Sequence, residues 1–346
     1  MTAALALRCP ACRAPLRAGA PAPDDVTRLD CTGCPARWPV WFGIPDLRGE
    51  GTEDPYLTRD EDLRAAERLA DRAAAGGFEA ALASYYETNE RVSPAQAKRF
   101  IAGTLAAEER SRAVLACWQA WCGVAVEGDR GTVVDVGCGT GPLLIAAQAP
   151  NVELVGIDVG LRWLVLAAAR LRDRRARATL ACAAATRLPL SDAAADVVAS
   201  ESLLENAMPA AQVLGEAARV LRPGGWLRLT TANRWSLGPD PHVGLPMGGW
   251  LPASLVHAWA TRRGMVPPRR HLLSAADLRG LLTPPRFERP RIGPPPVTDA
   301  QRAGASSLVR AGVDAYRVAA RLSVGRAALT AIGPTLLAVA RRTASA

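Results

Sequence analysis

The stretch VVDVGCGTGPLL, Val133 to Leu144, decides how the rest of the chain is read. A β-branched run ends near Asp135, and Gly137, Gly139 and Gly141 follow at alternate positions before Pro142. The run reads as a buried strand. The glycines read as a tight turn that a ligand can approach closely, because no Cβ intervenes. Proline at the first position of the next helix costs little, since its missing N–H would be unpaired there anyway. The start of such a helix favours polar or anionic groups. A dinucleotide fingerprint would need a third glycine where Pro142 stands, so the spacing is GxGxG rather than GxGxxG. A second run, LVGIDVG, ends at Asp158, seventeen residues beyond Gly141. An acid at such a strand end can accept both hydroxyls of a ribose.

Outward from this centre, the runs TVVDV, VELVGID, ADVVAS and WLRLTT alternate with longer Ala/Leu/Arg segments from Gly131 to Thr231. That alternation predicts an α/β fold with a mainly parallel sheet. Residues 54–122 have helical spacing, broken at Gly76-Gly77 and again at Ser93-Pro94, a capping residue followed by proline. After Asn233 the chain reads as loops rich in Pro and Gly, with a strand near Phe287 to Ile292. A helix follows in which Arg310, Asp314, Arg317 and Arg321 share one face and Val309, Val313, Tyr316 and Ala320 the next. TLLAVARR, Thr335 to Arg342, reads as a closing strand. The uncharged run Ala327 to Ala340 contains Gly333-Pro334 and is too short to span a bilayer, so a buried strand is expected there. The first residues carry neither a basic leader nor a full apolar segment, and the cytoplasm is the expected location.

Taken in order, Asp135-x-Gly137-x-Gly139-x-Gly141, Asp158, RLPLSDAAADVV (187–198) and EAARVLRPGGWLRLTT (216–231) resemble the class I S-adenosylmethionine-dependent methyltransferases. The branch that includes the quinone-biosynthesis methyltransferases is nearest. The resemblance covers roughly Gly131 to Asn233 and, weakly, the last strand. It implies a Rossmann-like seven-stranded methyltransferase sheet with added helices, whose last strand is antiparallel. S-adenosyl-L-methionine would be the co-substrate. Asp135, Gly137, Cys138 and Gly139 would then hold the methionine moiety, with Gly141 closing the turn. Asp158 would hold the ribose and Val159 the adenine face, with the Ala185 backbone N–H directed at the ring. Where the family usually has an Asp for the adenine amino group this chain has Ala184, which implies an altered adenine contact.

Cys9-Pro-Ala-Cys12 and Cys31-Thr-Gly-Cys34 form two CxxC pairs separated by eighteen residues. Four thiolates so spaced can hold a structural zinc, Zn2+, with two disulfides as the alternative. The segment resembles the zinc-ribbon proteins that activate RNA and protein methyltransferases. The sequence therefore divides into a ribbon (1–50), a helical linker and substrate lid (51–125) and a methyltransferase domain (126–346) with substrate-side insertions at 233–334.

Methyl transfer needs alignment, and a base where the acceptor carries a proton. His242, in NRWSLGPDPHVGLP, follows the fifth strand and titrates near neutrality, so it is read either as that base or as a loop residue with one structural hydrogen bond. Asn206, in SLLENAMP, stands where relatives often carry His and is a candidate to orient the acceptor. Tyr85 and Tyr86 are candidates to cap the pocket. The formal net charge is +9, yet residues 261–346 hold fifteen Arg against four acids, a net of +11. Three functions fit: transfer to a small-molecule or lipid-like acceptor, an RNA methyltransferase using the ribbon and the basic region, and a non-catalytic binding module. An aromatic content of 5% leaves few rings to stack on bases, which favours the first.

Overall fold

The computed structural model describes residues 7–19, 27–52, 54, 56–89, 92–123, 130–240, 243–303 and 307–344. Strands β1 (Leu16–Ala18), β2 (Arg28–Cys31), β3 (Arg37–Trp41) and β4 (Ile44–Pro45) pair antiparallel in that order. Helices α1 (Arg59–Glu87), α2 (Pro94–Leu105) and α3 (Ala107–Cys122) follow. Thr58 and Glu61 form a reciprocal capping box at the start of α1, as Ser93 and Gln96 do for α2 with Pro94 in its first turn. Each box satisfies two backbone N–H groups that the helix itself leaves open. The expected break at Gly76-Gly77 is a kink inside α1, where Gly77 takes φ 74° and ψ −170°.

The sheet is built from β5 (Gly131–Val136), β6 (Val152–Asp158), β7 (Thr179–Cys182), β8 (Ala195–Glu201) and β9 (Leu221–Ala232), all parallel. Between them run α4 (Pro142–Ala146), α5 (Leu161–Asp173) and α6 (Ala210–Val220). After β9 come α7 (Ala253–Arg262), α8 (Ala275–Leu281), β10 (Phe287–Gly293), α9 (Asp299–Ala303), α10 (Ser307–Arg321), α11 (Ser323–Ile332) and β11 (Thr335–Arg342). The sheet order is β10-β11-β9-β8-β5-β6-β7, and β11 runs antiparallel to both of its neighbours. The expected seven strands and the antiparallel closing strand are therefore present.

Alternation along the central strands divides the core in two. Val134, Val136 and Val198 face one layer, with α6 and the N-terminal strands; Val133, Val197 and Ala199 face the other, with α1, α3 and α5. Cys9, Cys31, Trp38 and Leu47 belong to the first layer, so the four-cysteine segment packs directly on the sheet.

Two expectations are corrected. Ala327 to Ala340 is not one strand: its first part is the end of α11, and only from Thr335 does it pair with β9. Alanine-rich sequence favours helix, and Gly333-Pro334 separates the two elements. The region after Asn233 also holds α7 and α8 where loops were expected. Ser274 and Asp277 form the capping box of α8 that marks the second of these in the sequence.

Candidate functional site

At the carboxyl end of β5 the chain turns through Gly137 (φ 74°), Gly139 (φ 51°) and Gly141 (φ 74°), conformations that side chains rarely adopt. A Cβ on Gly137 would stand 2.8 Å from Leu203 Cδ1. A Cβ on Gly139 would meet nothing within 4 Å, so this part of the turn opens onto empty space. The turn is anchored on both sides. Gly137 N–H and Cys138 N–H donate to Ile157 O at 2.7 and 3.1 Å. Arg170, buried and stacked 4.0 Å over the Phe78 ring, donates to Thr140 Oγ1 at 3.0 Å and to Thr104 O at 2.7 Å.

Asp158 ends β6 beside this turn. Its carboxylate accepts from Gly139 N–H at 2.9 Å and from Gly160 N–H at 2.8 Å. Burial raises its pKa, and these two donors oppose that. A buried charge network holds the loop that follows. Arg48 donates to Val159 O at 3.0 Å and pairs with Asp46 at 2.7 Å and Asp62 at 2.8 Å; Arg162 pairs with Asp62 at 2.7 Å and Asp54 at 3.0 Å. Asp62 also accepts from Leu161 N–H at 2.8 Å, capping α5 from outside its own sequence.

A cavity of about 1000 Å³ opens over the carboxyl ends of β5, β8 and β9. Asp135, Gly137, Cys138 and Gly139 line one wall, and Glu201, Ser202 and Thr230 the floor beside it. Phe100 and Val114 from the N-terminal helices and Val309, Val313 and Tyr316 from α10 enclose the rest. Asp135 and Glu201 stand on adjacent strands, each two residues beyond a side chain of the same core layer, so both carboxyls face this side. Burial raises the Glu201 pKa, against its hydrogen bond from Ser111 Oγ–H and the pull of Arg110. Burial raises Asp135 more strongly, and Glu201 and then Asp158 add to the effect. Burial therefore favours the neutral form of both acids, and a cation placed beside them would favour the charged form.

Of the other residues singled out from sequence, Tyr86 lines the cavity, whereas Tyr85 turns its hydroxyl to Arg162 Nε at 3.2 Å. Asp158, Val159, Gly141 and Ala185 lie outside the lining; Asp158 still touches the turn through Gly139. Asn206 also lies outside it and donates to Ser202 O at 3.1 Å, within its own turn. His242 falls outside the described residues. Glu201 went unnoticed in the sequence, although an acid ending a buried strand is the same signal that picked out Asp158.

The Sγ atoms of Cys9, Cys12, Cys31 and Cys34 all lie within 4.8 Å of one another, with Cys12–Cys31 at 3.3 Å and Cys9–Cys34 at 3.8 Å. None is in a disulfide. Tetrahedral zinc with Zn–S bonds near 2.3 Å places its sulfurs about 3.8 Å apart, so the set fits that ion.

Residues 134–229 match the methyltransferase-domain family. Over 109 residues the chain is 36% identical to a Mycolicibacterium smegmatis protein named "Probable S-adenosylmethionine-dependent methyltransferase", covering 31% of this chain and 40% of that protein. It is 35% identical over 99 residues to the ubiquinone/menaquinone biosynthesis C-methyltransferase UbiE of Syntrophotalea carbinolica, covering 28% and 42%. A solved S-adenosylmethionine-dependent methyltransferase of Thermotoga maritima aligns at 15% identity and a TM-score of 0.44, covering 71% of this chain and 96% of that one. The chain spans about two fifths of the length of the curated relatives it matches.

Proposed function

Because this chain carries a class I S-adenosylmethionine-dependent methyltransferase domain, we propose that it methylates a small-molecule or lipid-like acceptor bound in the cavity above β5 and β8. The observation that carries this reading is Gly139, whose missing Cβ leaves the turn open to the cavity that Asp135 and Glu201 also line. S-adenosylmethionine supplies an electrophilic methyl on a cationic sulfur. The backbone of Gly137, Cys138 and Gly139 would hold its methionine part, with Asp135 near the positive charge. Asp158 would take the ribose, and Val159 and Ala185 the adenine. The apolar wall of Phe100, Val114, Val309 and Val313 favours an acceptor with a hydrocarbon body.

Glu201 is the proton acceptor in this reading. An acceptor hydroxyl or amine loses its proton as the new bond to carbon forms, and a buried carboxylate in the cavity floor is placed to receive it. The Ser111 hydroxyl steadies that carboxylate through its hydrogen bond. Cys9, Cys12, Cys31 and Cys34 would hold a structural zinc, all four positions being filled by protein.

Calorimetric titration with S-adenosylmethionine tests the cofactor site. Wild type binds. Gly139→Val loses roughly a hundredfold in affinity, since a β-branched residue at that φ costs ~1–3 kcal/mol and its methyls fill the opening. Equal affinity in both proteins, or none in the wild type, refutes the assignment.

A further inference from the structure

Eleven of the fourteen large apolar side chains that stand exposed among the described residues lie between Leu237 and Ile332. That stretch overlaps the last quarter of the chain, residues 261–346, with a net charge of +11. The two features meet on the hairpin of α10 and α11, whose helices pack against each other. On its inner side α10 lines the cavity with Val309, Val313 and Tyr316. Its outer side shows Val318, and the junction to α11 shows Leu322, at 58% and 59% exposure. In α11 only Thr330 is buried; Val324 is 81% exposed, and Arg326 is the one charged residue of the helix.

The arginines divide in the same way. Arg302 and Arg317 pair with Asp314 and Asp299, whereas Arg310 and Arg321 form no ion pair among the described residues; Arg326 turns away from Val324 into a separate cleft with Trp235 and Ser274. At the far end of α11 the Ile332 carbonyl accepts from Leu237 N–H at 3.1 Å, which brings two exposed apolar side chains to the cavity rim beside Gly238 and Pro239. Trp250, half-exposed, stands nearby with its ring centroid 4.9 Å from that of Trp235.

We infer that the outer face of the α10–α11 hairpin docks on an anionic phospholipid surface, so that the acceptor reaches the cavity from the bilayer past Leu237 and Ile332. Short helices with apolar residues among unpaired arginines lie in the lipid interface, where both parts of the face are satisfied at once. Anionic headgroups draw in each arginine, and an indole settles at the water–lipid boundary. No described helix is long and apolar enough to cross a membrane, so attachment is to the surface. A second copy of the chain would set like charges against each other. Among the described residues of α10 and α11 the one ring, Tyr316, faces the cavity, so the outer face of the hairpin gives RNA bases nothing to stack on. The use made of this face rests on reading the cavity as a methyl-transfer site, but the docking itself does not.

The test is sedimentation with vesicles of phosphatidylcholine, with and without phosphatidylglycerol, with S-adenosylmethionine binding measured on the same samples. Wild type binds the anionic vesicles, and less well as salt rises. Arg310→Ala and Arg321→Ala each lower partitioning about fivefold. Val324→Asp, at a side chain already in water and so harmless to folding, lowers it about tenfold or more while cofactor affinity stays unchanged. Four results overturn the inference. They are no binding to anionic vesicles at low salt, binding that ignores Val324→Asp, a solution dimer that this variant dissociates, and a single-stranded RNA bound more tightly than the vesicles. Failure of cofactor binding with intact vesicle binding would instead sink the methyltransferase reading alone.

Discussion

Asp62 is fully buried and gathers four donors from two distant parts of the chain. Its Oδ2 accepts from Arg48 Nη1 and Leu161 N, each at 2.8 Å, and its Oδ1 from Arg162 Nη1 at 2.7 Å and Arg162 N at 3.3 Å. Removing one member of a buried pair usually costs about 3–5 kcal/mol, because its partner is left charged and dry. Here both arginines keep a second carboxylate, Asp46 for Arg48 and Asp54 for Arg162. The set holds three carboxylates against two guanidiniums, so losing Asp62 leaves it balanced in charge. The cost then falls at the lower end. Lost hydrogen bonds and the lost cap of α5, whose own cap position is Gly160, set it at about 3 kcal/mol. At roughly 2–4 °C per kcal/mol for 150–250 residues, and toward the lower figure for this longer chain, Asp62→Ala lowers Tm by about 6 °C. The same variant weakens S-adenosylmethionine binding, because α5 fixes the loop after Asp158.

Differential scanning calorimetry reads the effect, and a second pair supplies the control. Arg302 and Asp314 meet with equally good geometry, at 2.7 and 2.8 Å, but both are more than two-fifths exposed. Such pairs contribute about 0.2–1 kcal/mol, so Arg302→Ala shifts Tm by at most about 2 °C. A shift for Asp62→Ala no larger than that of the control would refute the claim that burial makes this network matter.

Three other predictions concern the remaining sites. Elemental analysis finds one zinc per chain. Removing it by chelation, or Cys12→Ser, shifts the Trp38 fluorescence, since Trp38 packs in the same core layer as Cys9 and Cys31; a metal-free protein with unchanged emission would rule the centre out. Glu201 is held above its unfolded-state pKa, mainly by burial, so the folded chain binds that proton more tightly. Wild-type stability therefore falls as pH rises from the ordinary carboxylate range through the raised value, and Glu201→Gln flattens this part of the Tm–pH curve. The same variant lowers turnover by roughly two to four orders of magnitude with cofactor affinity retained, whereas His242→Gln leaves turnover near wild type; the reverse pattern would make His242 the base.

Local signals were legible and distant ones were not. Gly137, Gly139 and Gly141 could be read because a turn needs positive φ at those positions whatever surrounds it. Ser93-Pro94 and TLLAVARR could be read for the same reason: a cap is a matter of neighbouring residues, and a strand buried on both faces shows as an unbroken apolar run. The helix of α11 was misread because an exposed apolar helix and a buried strand have the same composition, and only the surroundings separate them. Asp62 carries no mark in the sequence at all. It sits in the first turn of α1 like any helix-starting acid, and its partners Arg48 and Leu161 lie 14 and 99 positions away.

That long reach also decides how the N-terminal segment relates to the site. Leu47 N–H donates to Cys182 O at 2.7 Å, so the chain leaving β4 continues the sheet past β7. One residue later Arg48 binds the Val159 carbonyl and Asp62 together. Near the cysteines, Arg8 N–H donates to Pro189 O and Arg8 Nε to Ser191 Oγ, at 2.9 and 2.8 Å, on the segment that leads into β8. Each of these bonds is worth only about 1 kcal/mol, but they are spaced along both loops that flank the proposed adenine position. A metal held by the four cysteines would fix the Arg8 end of that brace, since Arg8 adjoins Cys9. The four thiols, which line no part of the cavity, would in this way act on the loop that leads into β8.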